Sequence, residues 1–520
     1  MDSARIIATV IFVGSIILLG DAWLKKDQQL VNESLSTESQ EGIATIPKAT
    51  INDAANRKDV VEPINNLARA TGDYIQVTTD VFSAKIDRLG GGIKELILTQ
   101  HHSKDSKTEA LRLLEIKGGR TYVAESGLIG EGLPNHNSIF NTDDSEYSLL
   151  SGEESLNITL FSDSESAFVE KTYTFYRGSY AIDVDYKITN KTSAPISPNA
   201  YFQLLRDGGG AEGDTKLQPT YTGGAVYSEE AKFNKVDFKD MDRAKSNYPK
   251  VVSDGWVGFV QHYFVAAWLP EEGKSRENFM KSLGNNLYAM GFVEGVTEIS
   301  ENSQGTLGAR LYAGPQEQNV LKKLAPGLDL VVDYGWLTII ASPLFWLLSA
   351  LQGLVGNWGW AIVFLTVIIK LVFFPLSAAG YKSMAKMRVM APRLKTLKET
   401  YGDDKQKFQQ AMMDLYKKEK INPLGGCLPI LIQIPFFIAL YWVLLASVEL
   451  RDAPFIFWIT DLSAKDPFYV LPILMALSMV AQSWLSPTPP DPIQAKVMKI
   501  MRVVFWQLHL CYLPWDPKLI

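Results

Sequence analysis

A lysine set inside an otherwise uncharged run has the most pointed chemistry in this sequence of 520 residues. Lys370 follows a stretch from Tyr334 to Ile369 without a charged side chain, and the next charge after it is Lys382. About 18 Å of helix separates the two lysines at about 1.5 Å per residue. A lysine stem reaches only about 6 Å, so the ammonium cannot fully snorkel to that flank. A cation at mid-membrane costs at least about 2.5 to 3.5 kcal/mol and is expected to face water or a partner. A buried ion pair with a carboxylate of another span is one account, but no Asp or Glu lies inside the other uncharged runs. A water-filled recess is the better account. Thr366, four residues earlier, shares the helix face. Gln433, between Pro429 and Pro435 in a later apolar run, adds a second polar group at membrane depth. These side chains offer electrostatic attraction and hydrogen bonding. No P-loop or catalytic dyad accompanies them, so no catalytic residue, metal or cofactor is expected.

Weaker site signals lie elsewhere. RDGGGAEGD at 206–214 lacks the strand-to-helix context and the Lys-Ser/Thr of a phosphate loop, and reads as a surface loop. His101 and His102 are adjacent on a strand pattern and point to opposite faces, which argues against a metal site with His136. Only Cys427 and Cys511 occur, excluding both a disulfide framework and a four-cysteine zinc site.

The elements that must hold Lys370 are membrane spans. Further uncharged runs cover Ile421 to Val448 and Pro467 to Pro490, each longer than the roughly 18 to 20 residues needed to cross hydrocarbon. A wholly soluble protein is excluded. Ile6 to Leu19 (IIATVIFVGSIILL), extended by Ala22, Trp23 and Leu24, is another candidate span. It reads as an uncleaved anchor over 1–24, because no small-x-small cleavage site follows it.

Residues 381–420 hold eleven Lys/Arg against five Asp/Glu, net +6, in a chain of net charge −6. Basic short loops stay cytoplasmic. With this loop inside, one span over 357–379 and a flat interfacial helix over 334–352 put the polar region outside; two spans would put both on one side. The rule selects one span, with Trp336 and Trp346 as interface anchors. Spans over 423–446 and 467–485, joined by an outer loop 447–466, complete the same orientation, and Lys496, Lys499 and Arg502 follow on the inside.

The basic loop, 381–421, reads as a helical hairpin. Met384, Met387, Met390, Leu394 and Leu397, then Phe408, Met412, Leu415 and Tyr416, recur at helical spacing. Gly402 is a C-cap candidate and Asp403 or Asp404 an N-cap. The stripes fit the seam of the hairpin or a docking face for hydrophobic segments. Between the anchor and the core, 25–70 is a polar tether, and 71–326 alternates at strand period. FVEKTYTFYRGSYAIDVDYKITN at 168–190 is a hairpin turning at Arg177, Gly178 and Ser179, and Gly90 to Gly92 mark another turn. A large β-sandwich is expected.

YKSMAKMRVMAPRLKTLKETYGDDKQK, NPLGGCLPILIQIPFFIALYWVLLASVELRDAPFIFWITDLSAKDPFYVLPILM and VDYGWLTIIASPLF resemble the YidC/Oxa/Alb family of membrane protein insertases in its Gram-negative form. The resemblance runs to about Met501. It implies a multi-pass α-helical protein of the bacterial inner membrane with a periplasmic β-supersandwich and a cytoplasmic helical hairpin, in a core over 327–520. It implies a groove open to cytoplasm and lipid whose positive charge maps onto Lys370, a lysine where the family often has arginine. Nascent membrane proteins, membrane lipids, the ribosome with targeting factors, and the Sec translocon are the implied partners; no direct binding to DNA is implied. Lys395, Lys398, Asp403, Asp404 and Lys405 are the expected ribosome-contacting residues. A small-solute transporter and a membrane-tethered carbohydrate-processing enzyme are the rival readings. After Met501 the sequence reads RVVFWQLHLCYLPWDPKLI, whose uncharged part is too short to cross, so 497–515 is expected to be an incomplete span from a truncated or shifted reading frame.

Overall fold

Strand alternation builds the first half of the molecule. In Ala167–Tyr176 every second side chain (Ala167, Val169, Lys171, Tyr173, Phe175) is buried, as a pleat with one face on a core requires. This strand pairs antiparallel with Ala181–Asn190 across the turn at Gly178, whose φ of 65° suits glycine. The computed structural model describes residues 73–103, 109–210, 221–245, 247–401, 404–419, 428–464 and 466–485. The anchor at 1–24, the tether at 25–70, the incomplete span at 497–515, Gly402 and Asp403 lie outside the described residues.

Two large sheets face each other. Ten strands run in the spatial order Val251–Val252, Arg276–Gly284, Leu287–Gly295, Asn199–Asp207, Arg120–Ile129, Ala110–Lys117, Ile93–His102, Phe82–Asp87, Tyr74–Thr78 and Glu146–Ser148. Eight more run Lys232–Val236, Gly223–Ser228, Trp256–Gln261, Phe264–Pro270, Gln304–Pro315, Ala181–Asn190, Ala167–Tyr176 and Ser155–Asp163. Phe202 is the hub of the core between them, with Trp268 at 5.1 Å and Phe292 at 5.2 Å between ring centroids. Burying each such ring contributes about 1.5 to 3 kcal/mol. The domain is a large all-β sandwich.

The eight-stranded sheet is covered on its other face as well. Phe264–Pro270 (FVAAWLP) is buried at every position, the pattern of a strand with no wet side. Tyr227, Trp256, Val265, Ala267 and Tyr312 of that face share one apolar cluster with Leu321, Leu328 and Val331 and with three long helices. In chain order the helices are α1 (Phe238–Asp242), α2 (Gln318–Leu324), α3 (Thr338–Val355), α4 (Trp358–Val372), α5 (Phe374–Val389), α6 (Ala391–Tyr401), α7 (Lys405–Lys418), α8 (Leu428–Ala446) and α9 (Val470–Leu485).

Helix α3 buries Ala341, Leu344, Phe345 and Leu348, one stripe of a 3.6-residue period, against α4 and α8. Gly356, at φ 67°, closes it in a left-handed cap, and the Asn357 side chain opens α4 by accepting from the Trp360 amide at 3.1 Å. The break between the two helices falls at Gly356 and Asn357.

Two stretches are broken in the fold. Residues 357–379 are bent: α4 ends at Val372, and the axis turns by 54° into α5. Pro375, in the first turn of α5, explains the break, because its ring excludes the carbonyl of the residue four before it and it has no N–H to donate. The first hairpin helix is likewise two helices, broken at Met390, with Pro392 again in a first turn. Among the described residues only α3, expected to lie flat, is by itself long and apolar enough to cross a membrane; the bent pair would make a second.

Candidate functional site

Lys370 sits on the last turn of α4, just before the bend, with its side chain exposed. Ala361, Leu365 and Ile369 of α4 are buried in the apolar cluster that α4 shares with α3 and α8, which leaves Lys370 on the exposed side of the helix. Its Nζ lies over the Phe437 ring of α8, 5.0 Å from the centroid. Such a contact contributes about 0.5 to 2 kcal/mol and holds the ammonium without neutralising it. Just beyond it, Phe373 meets Phe436 edge-on at 4.9 Å, closing α4 onto α8. Gln433, one turn before Phe437, is 8 % exposed and lies on the α8 face that also buries Leu440. Thr366 Oγ1 donates back to the Ile362 carbonyl at 2.9 Å.

The geometry thus brings Lys370 to α8 within a turn of Gln433. Thr366 stays on its own helix, its hydroxyl proton used locally. Sequence reasoning missed Phe437 as the ring under the ammonium. The available signal was spacing: Phe437 is four residues after Gln433 and shares its face. Around the pair the surface is apolar. Val367, Leu371, Val372 and Phe374 on one side, and Ile434, Ile438 and Tyr441 on the other, are exposed. No carboxylate pairs with Lys370 among the described residues, and a cation in apolar surroundings attracts anionic groups.

The second group of expected site residues lies on α6 and α7. Met390, Leu394 and Tyr416 pack together with Met412 and Leu415, so this part of the apolar stripe is the seam between the two helices. Asp404 caps α7, its Oδ1 accepting from the amides of Gln406 and Lys407 at 3.1 Å each. Arg393 reaches Glu419 at 2.6 Å and ties the far ends of the pair. Lys395 and Lys398 are exposed on α6. Lys405 begins α7, and Asp403 lies outside the described residues. A shallow groove of about 360 Å³ between the helices is floored by Leu397 and Leu415 and rimmed by Arg393, Asp414 and Lys418.

The three histidines weighed as ligands are apart from one another in role. His136 Nδ1 contacts the Tyr201 hydroxyl, His101 packs between Tyr180 and Phe264, and His102 faces Asp452 at 3.5 Å. The strongest unforeseen polar cluster is inside the sandwich. Glu125 holds Lys94 at 2.5 Å and accepts from Gln203 at 3.0 Å. Burial raises its pKa, but the charge of Lys94, then His136, and hydrogen bonds from Lys94 and Gln203 lower it further, to about 2.

Residues 74–347 match the family described as YidC periplasmic domain, and residues 350–512 match the family described as 60Kd inner membrane protein. A membrane protein insertase YidC of Methylobacillus flagellatus is 50 % identical over 97 % of this chain and 92 % of its own length. One of Aromatoleum aromaticum is 49 % identical over 100 % of this chain and 94 % of its own. Among solved structures, a galactose mutarotase related enzyme from Lactobacillus acidophilus aligns with 46 % of this chain at 9 % identity and a TM-score of 0.30.

Proposed function

The chain belongs to the YidC family of membrane protein insertases of the bacterial inner membrane, and we propose that it works through the recess between α4 and α8. It is an insertase with a periplasmic domain and acts on nascent membrane proteins. The transporter and sugar-enzyme readings fall away beside relatives of this identity and coverage. The observation that carries the recess reading is the Lys370 ammonium, exposed and seated on Phe437 one turn from Gln433.

In this reading α4 with α5, α8 and α9 cross the membrane, α3 lies along its outer interface, and α6 with α7 stand in the cytoplasm. The hydrophilic segment of a nascent chain enters beside Lys370, whose charge attracts its acidic residues in a medium of low dielectric. The adjoining apolar helix then slides along the exposed faces of α4 and α8 into lipid by ordinary hydrophobic transfer. No covalent step is involved. Ribosomes and targeting factors arrive at the basic surface of α6 and α7, and the Sec translocon works beside the core.

Substitution of Lys370 tests the reading. With Lys370→Ala, insertion of substrates with acidic translocated segments falls about tenfold, equivalent to about 1.4 kcal/mol, while neutral ones are little changed; Lys370→Arg is nearly silent. Equal defects for both substrate classes in a reconstituted insertion assay overturn the attraction mechanism and leave Lys370 a structural role.

A further inference from the structure

The connection between α8 and α9 carries aromatic surface that neither the recess nor the helix pair explains. Its inner side is docked: Asn357 Nδ2 donates to the Pro454 carbonyl at 3.0 Å, and the Phe455 ring meets Trp360 edge-on at 5.5 Å. Its outer side is bare. Phe457 is 86 % exposed and Phe468 64 %.

These rings are held firmly. The Phe455 amide donates to the Ile459 carbonyl at 2.9 Å and the Ile459 amide to Ile456 at 3.2 Å, closing a turn around Phe457. Phe457 has φ 54°, a conformation that a bulky L side chain adopts only when its surroundings impose it. Trp458 stacks on Phe457 at 5.9 Å and meets Phe468 edge-on at 6.2 Å. The Trp458 indole N–H donates to Asp466 Oδ1 at 2.9 Å. The same carboxylate accepts from the amides of Phe468 at 3.0 Å and Leu471 at 2.8 Å. One carboxylate therefore fixes the ring cluster to the start of α9.

Beyond Phe468 the patch continues without a charged residue into Leu471, Leu474 and Leu477, exposed along one side of α9. Continuity with that face decides the occupant. Interfacial tryptophans ordinarily leave the indole N–H for headgroups. Here Asp466 takes it, so the cluster presents apolar ring edges and suits the acyl-chain side of the boundary. We propose that Phe457, Trp458 and Phe468 form a rigid wedge seated in the outer leaflet, where headgroups meet acyl chains.

The wedge rests on the reading that α9 spans the membrane, and the test separates the two. In the full chain with Cys427→Ser and Cys511→Ser, checked for the parent's circular dichroism and melting, a nitroxide is placed at Phe457→Cys, at Leu474→Cys or at Ala464→Cys. Each protein is reconstituted into phosphatidylethanolamine and phosphatidylglycerol vesicles, and spin relaxation by oxygen is compared with that by a water-soluble nickel chelate. The wedge requires oxygen to dominate at Phe457 and Leu474 and nickel to dominate at Ala464. Nickel dominance at Phe457 with oxygen dominance at Leu474 overturns the wedge and leaves the span, pointing to a protein partner for the rings. Nickel dominance at Leu474 overturns the span and the wedge with it.

Discussion

At the scale of single residues, charges are treated differently in the two halves of the chain. In the core Lys370 is exposed and has no carboxylate partner among the described residues; in the sandwich Lys94 and Glu125 cancel each other, with side-chain exposures of 15 % and 7 %. The consequence is a pH dependence. The folded pKa of Glu125, about 2, lies below its ordinary 4.5, so its contribution is complete above about pH 4.5 and is lost as pH falls toward 2. Melting of the full chain in detergent between pH 6 and 3 shows the loss, and Glu125→Gln flattens that part of the profile. Lys370 was legible because a charge stands out in an uncharged run. Lys171 was legible in principle by the same logic, since it occupies an inward position of an alternating strand. Its ammonium donates to the Gly91 carbonyl at 2.7 Å and lies between 5.3 and 5.7 Å from the rings of Phe140, Tyr173 and Tyr186. Nothing in a one-dimensional pattern says that a distant glycine turn supplies the acceptor. Glu125 and Lys94 escaped for the same reason, being partners from different strands.

At the scale of elements, periodicity was a better guide to faces than to ends. The stripe of Met390, Leu394, Met412, Leu415 and Tyr416 became a helix–helix seam, and Asp404 became the cap. The helix breaks that periodicity did not give lie at prolines. Pro375 and Pro392 are visible in the sequence, yet hydropathy averaged over a span gives a proline no weight, whereas its missing donor and its ring change the helix axis. The bend falls beside the cation, because α5 leaves the line of α4 one turn beyond Lys370. The basic residues of α6 and the start of α7 yield a separate prediction. Replacing Lys395, Lys398 and Lys405 together with Glu weakens ribosome binding most at low salt, where the Debye length is longest, and leaves the helix content intact. Cosedimentation with ribosomes across a salt series measures it; binding unchanged at low salt removes this surface from the docking role.

At the scale of the whole molecule, the sandwich was legible from alternation and turns, and the helical core from its uncharged runs. Their join was not. A strand such as Phe264–Pro270, apolar throughout, reads equally as a central strand or as part of any buried segment. Only the fold shows that its two faces serve different neighbours, Phe264, Ala266 and Trp268 the sandwich core and Val265, Ala267 and Leu269 the cluster shared with α3, α4 and α8. The chain just beyond α8 reaches the sandwich as well: Val448 enters its core and the Arg451 guanidinium lies 5.4 Å from the Phe264 ring.

A sheet with helices on one face and a second sheet on the other is a party wall, and neither room can be emptied without stripping it. Melting the helices first would wet Tyr227, Trp256 and Tyr312; melting the sandwich first would deprive α3 of its backing. The two halves should therefore lose structure together. Differential scanning calorimetry of the chain in detergent is expected to give one transition whose van't Hoff and calorimetric enthalpies agree. Tyr312→Ala, cut into the wall itself, should shift that single transition downward; two separated transitions would mean that the halves are merely tethered. Such coupling would give the sandwich a mechanical bearing on the helices: a load placed on them would be shared by the eighteen strands behind the wall.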